Sequence, residues 1–408
     1  MSVAISRKAL SFVDTPVLAI VVWLVSAVMF LSGLVDLPNA ISAGPVSVQA
    51  ILTIFYFAAG LMLFPLLPMS ISLFTTTLLP FVVFLFWAFA SLAWSSAATK
   101  GLQNLLILSI LLVTIRVSAA ASDGFPGFVS HFERRLQQST ILSSAVYACS
   151  LFWYGPGSND IIGARSFGLF ALLGVAYYLA CWRYGQKLGL LGASILTLLI
   201  GASLSRLALG IALALFPISQ IPSRGFSKTL RMIAILIIVL AVSFASVVYV
   251  DALRERFLTG DVSLKVGSFA INGSGRSAFW RVTLESLSES PIVGKGAGST
   301  EGLIESFFVD MRHPHSDYLR VANDYGVVGV TLWIAAIGTL LHRLWTLWRI
   351  ADHGRHRNAK IHLAAFLGLI AFVLEMSMEN AMVYVFVVAP LALLIGTSLG
   401  ASNAAARS

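Results

Sequence analysis

Charge is what this sequence has least of. Asp, Glu, Lys and Arg make up 11% of its 408 residues, where a soluble globular chain carries about 25%. That shortage excludes a soluble enzyme, a disordered tail and a fibre. Acidic residues are scarcer than basic ones, 18 against 27, which leaves a formal net charge of +9. No RNA- or DNA-binding signature accompanies the excess, so nucleic acid is not an expected partner. Cysteine is nearly absent. Cys149 and Cys181 both lie in apolar runs and read most simply as small buried hydrophobes, with no message about redox compartment. No internal repeat is found, which weakens a transporter reading. What fills the sequence is apolar side chain, 58% of residues, with a mean hydropathy of +0.88. The class this defines is an all-α polytopic membrane protein, with lipid as its principal solvent.

A helical span needs about 20 mainly apolar residues. Twelve segments qualify: 15–35, 47–67, 71–94, 102–121, 139–155, 166–183, 187–204, 206–222, 231–250, 326–344, 361–378 and 381–400. Arg7 and Lys8 precede the first as in a signal peptide, but no small-residue cleavage site follows, so a retained span is expected. With the N-terminus in the cytoplasm, the inner links hold Arg134, Arg135, Arg183, Lys187, Arg224, Lys228, Arg231, Arg349, Arg355, Arg357 and Lys360. The short outer links hold Lys100, Arg165 and Arg206. This asymmetry supports an even number of spans with both termini inside, and it accounts for the positive net charge.

Residues 251–325, between spans nine and ten, break the pattern. This outer segment holds ten of the chain's 18 acidic residues, from Asp251, Glu255 and Asp261 to Asp310, Asp317 and Asp324. The expected organisation is therefore spans one to nine over 1–250, a water-facing loop over 251–325, and spans ten to twelve over 326–408. Within the loop, Ser277 to Ser290 reads as a helix with Trp280, Leu284 and Leu287 on one face, ended by Pro291. Gly294-Lys295-Gly296-Ala297-Gly298 reads as a flexible turn. A second helix is expected near Ser316, with Gly326 at the passage into span ten.

The residues able to do chemistry gather around this loop. In His313-Pro314-His315-Ser316-Asp317-Tyr318, Pro314 holds its neighbour extended and Ser316 or Asp317 can cap the next helix. His315 would sit at a helix N-terminus, which favours anions over an imidazolium, and a neutral imidazole can take a proton from a sugar hydroxyl. The plain alternative makes both histidines ordinary loop residues, and a metal at His-x-His lacks further ligands at convincing spacing. Arg206, Arg165 and Arg276 each read either as a snorkelling charge or as a guanidinium facing an anionic headgroup. Arg281 could pair with Glu285 one turn on. Glu375 and Glu379, in or just after span eleven, are either solvated at the boundary or functional carboxylates at membrane depth, on one helix face and able to orient an arginine or a hydroxyl.

These stretches together resemble the O-antigen ligase and polymerase superfamily of bacterial surface-polysaccharide enzymes. Gly275-Arg276-Ser277-Ala278-Phe279-Trp280 is similar to the family's loop entry, and Ser290-Pro291-Ile292-Val293-Gly294-Lys295-Gly296 to its Pro-hydrophobic-hydrophobic-Gly-x-Gly turn. His313-Pro314-His315-Ser316-Asp317-Tyr318-Leu319 resembles its His-Asn-x-x-Leu element, with Ser316 in place of the usual Asn, and Tyr325-Gly326-Val327-Val328-Gly329 follows. Leu204-Ser205-Arg206 resembles its Ser-Arg span start, and Arg165 with Gly168-Leu169-Phe170 its Arg-x-x-Gly-hydrophobic-Phe segment. The match covers about 165–330.

The resemblance implies a GT-C-like glycosyltransferase in the bacterial inner membrane, working on its periplasmic face. Its donor would be a glycan on undecaprenyl diphosphate. Its acceptor would be a sugar hydroxyl, either on another lipid-linked glycan (polymerase) or on lipid A-core (ligase), with no cofactor and no metal. His315, Arg206 and Arg276 would be catalytic. Arg165, His313, Arg281, Glu375 and Glu379 would bind substrate. Membrane lipid is a partner by necessity, and a chain-length regulator or flippase is a further candidate partner. A glycan flippase or permease is the rival from another class, for which repeat symmetry and charges lining the spans would be expected.

Overall fold

The computed structural model describes residues 15–43, 46–63, 65–67, 74–125, 127–222, 226–249, 262–266, 269–272, 276–309 and 311–407. Arg7, Lys8, Arg224, Asp251, Glu255, Asp261, Ser274, Gly275 and Asp310 lie outside the described residues.

The helices are α1 (Thr15–Gly33), α2 (Leu37–Ala40), α3 (Val48–Leu63), α4 (Leu79–Ala90), α5 (Ala98–Gly124), α6 (Phe128–Tyr154), α7 (Ala164–Arg183), α8 (Lys187–Ala202), α9 (Arg206–Ser219), α10 (Phe226–Tyr249), α11 (Arg276–Glu289), α12 (Ser299–Phe307), α13 (Asp317–His353), α14 (Ala359–Glu375) and α15 (Val385–Arg407). A π-helical turn, Phe74–Leu78, leads into α4, and 3-10 turns occupy Ser91–Trp94 and Ala381–Val383. Each of the twelve apolar segments overlaps one of these helices. Among the described residues, five stretches, Thr75–Trp94, α5, α7, α13 and Val385–Ser402, are long and apolar enough to cross a membrane, and shorter apolar stretches lie within α1, α3, α8, α9 and α10. The protein is thus a helical membrane protein. Two antiparallel hairpins depart from an all-helical chain: β1 (Ser42–Ala43) with β2 (Val46–Ser47), and β3 (Val262–Val266) with β4 (Phe269–Asn272) inside the expected outer segment.

The centre of the bundle is α5 against α15. Nearly every described side chain from Phe386 to Ala401 is buried, as is most of α5 from Leu105 onward. Gly396 and Gly400 explain how closely the two helices approach. A Cβ at Gly396 would run into Ser118 and the carbonyl of Ile115, and one at Gly400 into the carbonyl of Ala119. Two small residues four apart on one face are the usual way for helices to pack in lipid, where apolar burial between helices drives little. At the periphery the pattern inverts, and α8 and α10 expose Leu188, Leu191, Leu198, Ile237 and Leu240.

Interhelical bonds define two ends of the bundle. At one end, Asp317 N bonds Met376 O at 2.9 Å, joining the start of α13 to the end of α14. At the other, the Tyr184 hydroxyl bonds Asp352 at 2.7 Å, Asn358 bonds Ala401 O at 2.9 Å, and Ser122 bonds Thr397 O at 2.9 Å.

The loop elements are held firmly at the first end. The glycine turn expected to be flexible is instead fixed. Lys295 N and Gly296 N bond Asn323 O and Asp324 O, and the Ala297 backbone bonds Ser91 and Ser95. The Asp324 carboxylate, buried, accepts from Gly298 N, Ser299, Thr300 N and the Thr300 hydroxyl at 2.6–3.0 Å. It caps α12 from another helix. Gly326, at φ 66, breaks α13. There Val327 N and Val328 N bond Pro291 O and Ile292 O, and Trp87 Nε1 takes Tyr325 O. The kink follows because the helix hands its hydrogen bonds to the glycine turn.

Candidate functional site

Four segments distant in sequence meet where α13 begins. The first is 311–316. Ser316 is the N-cap of α13, its hydroxyl accepting from Leu319 N at 3.4 Å, so serine caps the helix in the position where the related motif carries asparagine. The preceding His315 has φ 53, a left-handed conformation that a non-glycine residue holds only when its surroundings fix it. Those surroundings are on both sides: Trp280 Nε1 of α11 donates to Pro314 O at 3.0 Å, and Asp317 is clamped. Asp317, fully buried, donates its backbone N–H to Met376 O and accepts at 2.8 Å from Met382 N and at 2.6 Å from Arg320.

The second segment, 376–384 between α14 and α15, is what Asp317 grips. It carries Glu379 and Asn380, both buried. Glu379 Oε2 stands 3.7 Å from His315 Nδ1, and Asn380 Nδ2 stands 3.3 Å from the same atom. The third is α11, whose first residue, Arg276, gives a 2.8 Å ion pair to Glu379 Oε1. Glu379 therefore bridges a guanidinium and an imidazole. The fourth is the start of α7, where Arg165 lies within electrostatic reach of Glu379. Burial pushes the Glu379 carboxyl up, but the His315 imidazole beside it and the charges of Arg276 and Arg165 overcome it and hold it below the ordinary glutamate range.

The chemistry follows from His315 Nδ1. A carboxylate facing that atom favours the tautomer with the proton on Nδ1, which leaves Nε2 to accept a proton. Half a turn of the Asn380 amide presents to the same N–H its Oδ1, which has no other partner among the described residues. Phe279 packs beside the imidazole, ring centroids 6.1 Å apart, and His315 keeps 20% of its side chain exposed, so it is reachable from outside.

The other expected residues divide. Arg206 opens α9, whose first turn packs on Gly168, one turn along α7 from Arg165. His313 immediately precedes Pro314 and has a buried Nδ1 with no partner among the described residues. Burial, then the charges of Arg320, His315, Arg312 and Lys100, pushes its imidazole down to about 3, so it stays neutral at ordinary pH. Glu375 is buried rather than solvated, with Glu379 and Asp317 as electrostatic neighbours. It ends α14, and Glu379 lies in the turn beyond, its backbone N–H bonding Glu375 O at 2.9 Å one turn back. Arg281 is exposed on α11, and none of the described ion pairs joins it to Glu285. The buried face of α11 is Phe279 and Thr283, not the Trp280–Leu284–Leu287 stripe, and Leu284 is exposed. Cys149 is likewise exposed while Cys181 is buried.

Sequence reasoning missed the Asp317–Arg320 clamp and gave Asn380 no part. Asp317 reads as a helix cap because position alone cannot reveal a bond to Met382, 65 residues on. A buried Asn beside a Glu at a helix end was the one available signal for Asn380.

Fold and site together define a class: a helical membrane protein with an imidazole, carboxylate and guanidinium cluster at one end of its bundle. The sequence model of the O-antigen ligase family matches residues 188–334, from α8 into the membrane part of α13. The match supports membership of the O-antigen ligase and polymerase superfamily. It includes Arg206, Arg276, Arg281, His313 and His315, whereas Arg165, Glu375 and Glu379 come from outside it. No curated protein matches the chain.

Proposed function

We propose that this protein is a membrane glycosyltransferase that moves a glycan from undecaprenyl diphosphate to a sugar hydroxyl on the periplasmic face, as a polysaccharide polymerase. The observation that carries the reading is the convergence of His315, Glu379, Arg276 and Arg165 from four separate segments onto one end of the bundle. The family match supports the broader class of ligase or polymerase chemistry.

In this reading the acceptor O–H attacks the anomeric carbon of the donor sugar. The new C–O bond forms as the sugar–phosphate bond breaks, and undecaprenyl diphosphate leaves as an anion. The hydroxyl proton passes to His315 Nε2, and from there to water. Glu379 steadies the imidazolium formed. The leaving group needs charge stabilisation rather than a proton, a role suited to Arg276 and Arg206 with Arg165 assisting. His313, Arg281 and Glu375 belong to the surrounding substrate wall. The twelve helical segments would be spans with the 251–325 region outside, offering lipid to the polyprenyl tail and water to the glycan.

The test is transfer by purified protein given lipid-linked glycan. His315→Ala is expected to insert at normal levels and to lose transfer by about 10²- to 10⁴-fold, the usual share of a general base. Undiminished transfer would remove His315 from the chemistry. Deleting the gene separates the two forms of the reaction: single-repeat surface chains mark a polymerase, and bare lipid A-core with intact lipid-linked polymer marks a ligase.

A further inference from the structure

A cavity with charged residues in its lining lies at the end of the bundle opposite His315. Its volume is about 760 Å³. It is walled by the end of α5, the start of α6, the turn after α7 and the link between α13 and α14. Its charged lining is of both signs: His356, Arg357 and Lys360 against Asp123 and Glu133, with Lys360 and Glu133 paired at 2.8 Å. His356 and Arg357 are exposed at its mouth. Val129, Ser130, Lys360 and Ile361, in the first turns of α6 and α14, also line it, so two helix starts add positive potential to the same wall.

The surroundings say at what depth it opens. Tyr184 lines it, and the same end of the bundle carries Trp182 under Arg231 at 4.9 Å, Trp348 under Arg183 at 4.8 Å and Trp345 under Arg349 at 5.5 Å. Aromatic rings paired with arginines mark the headgroup level of a bilayer. A cavity between helices at that level, with charged side chains in its wall, meets lipid headgroups first.

We propose that this cavity binds the headgroup of a phospholipid that carries a primary ammonium next to its phosphate. The mixed lining selects for both charges. Arg357, Lys360 and His356 offer N–H donors to the phosphate oxygens, and Glu133 with Asp123 offers carboxylate oxygens to the ammonium. A purely anionic headgroup would leave those carboxylates facing a like charge. A quaternary ammonium would bring no N–H to them.

The test uses the full-length protein in detergent. It is exchanged against phosphatidylethanolamine, phosphatidylcholine or phosphatidylglycerol, and retained lipid is counted by native mass spectrometry. Phosphatidylethanolamine is expected to be retained about fivefold better than phosphatidylcholine, the scale of one partly exposed ion pair. Glu133→Gln should erase that preference, and Arg357→Gln, at an exposed position that folding tolerates, should lower retention of all phosphate headgroups. Free phosphoethanolamine should compete if the headgroup alone is recognised; competition by inorganic phosphate to the same extent would make the site a plain anion site and overturn the assignment. Equal retention of the three lipids, or variants that behave as wild type, would overturn it too. Glycan transfer enters none of these measurements, so the result is independent of the reaction at His315.

Discussion

Glu379 faces two partners at once, the Arg276 guanidinium at 2.8 Å and His315 Nδ1 at 3.7 Å, and this shared carboxylate makes the cluster a unit. Removing its charge while keeping its size tests that unit. Glu379→Gln is expected to lower kcat for transfer by tens of fold, less than loss of the base itself, with KM little changed, because it orients the imidazole rather than holding substrate. Full turnover by the glutamine variant would separate Glu379 from His315. His313 is the contrasting residue. Its folded imidazole is pushed to about 3 while an unfolded one takes a proton near 6.5. Between those values the unfolded state binds the extra proton, so stability falls as pH drops from about 6.5 toward 3, with a slope of at most about 1.4 kcal/mol per pH unit from this one group. Thermal unfolding in detergent across that range should be less acid-sensitive in His313→Gln than in wild type, and identical pH slopes would refute the buried neutral imidazole. The sequence made both histidines and the arginines visible because those side chains carry their chemistry in their identity. It could not show which histidine faces a carboxylate, since His315 and Glu379 are 64 positions apart and only the fold brings them together.

At the scale of elements, apolar runs marked the helices well, because a segment in lipid must satisfy its own backbone. The glycines were harder to read. The 294–298 run has the composition of a flexible turn, yet Gly294, Gly296 and Gly298 hold positive φ in contact with neighbouring backbone, and Asp324 caps the helix that follows. Composition reports what glycine permits; whether the freedom is used for mobility or for close approach depends on what packs against it. In α15 the use is close approach. Gly400→Leu would drive a side chain into the Ala119 carbonyl of α5 at the tightest crossing of the bundle. The expected cost is about 1–3 kcal/mol or more, seen as a lower melting temperature and a smaller folded yield in detergent. Gly210→Leu on α9, where a Cβ meets nothing within 4 Å, is the control and should be near neutral. Equal behaviour of the two variants would contradict the α5–α15 packing.

The whole molecule keeps its two polar regions at opposite ends of the same helices. α13 starts at the His315 cluster and runs 37 residues to His353, near the cavity lined by His356 and Arg357. At about 1.5 Å per residue that is roughly 55 Å of chain, kink included, against a hydrocarbon core of about 30 Å. α14 and α15 run between the same two ends in alternating directions, from Ala359 to Glu375 and from Val385 to Ala401, roughly 25 Å each at about 1.5 Å per residue. A bundle that separates its polar ends by close to the apolar thickness is expected to expose them to different aqueous sides. In the proposed reading, the Lys and Arg at the cavity end, Arg355, Arg357 and Lys360 among them, put that end in the cytoplasm and the His315 end in the periplasm, following the usual bias of loop charge. In a variant without native cysteines, Arg281→Cys on exposed α11 is therefore expected to react with a membrane-impermeant maleimide added to intact spheroplasts. Arg357→Cys should react only after the membrane is opened. Labelling of both from the same side would place the two regions on one face, and would leave the site without the periplasmic access that glycan transfer requires.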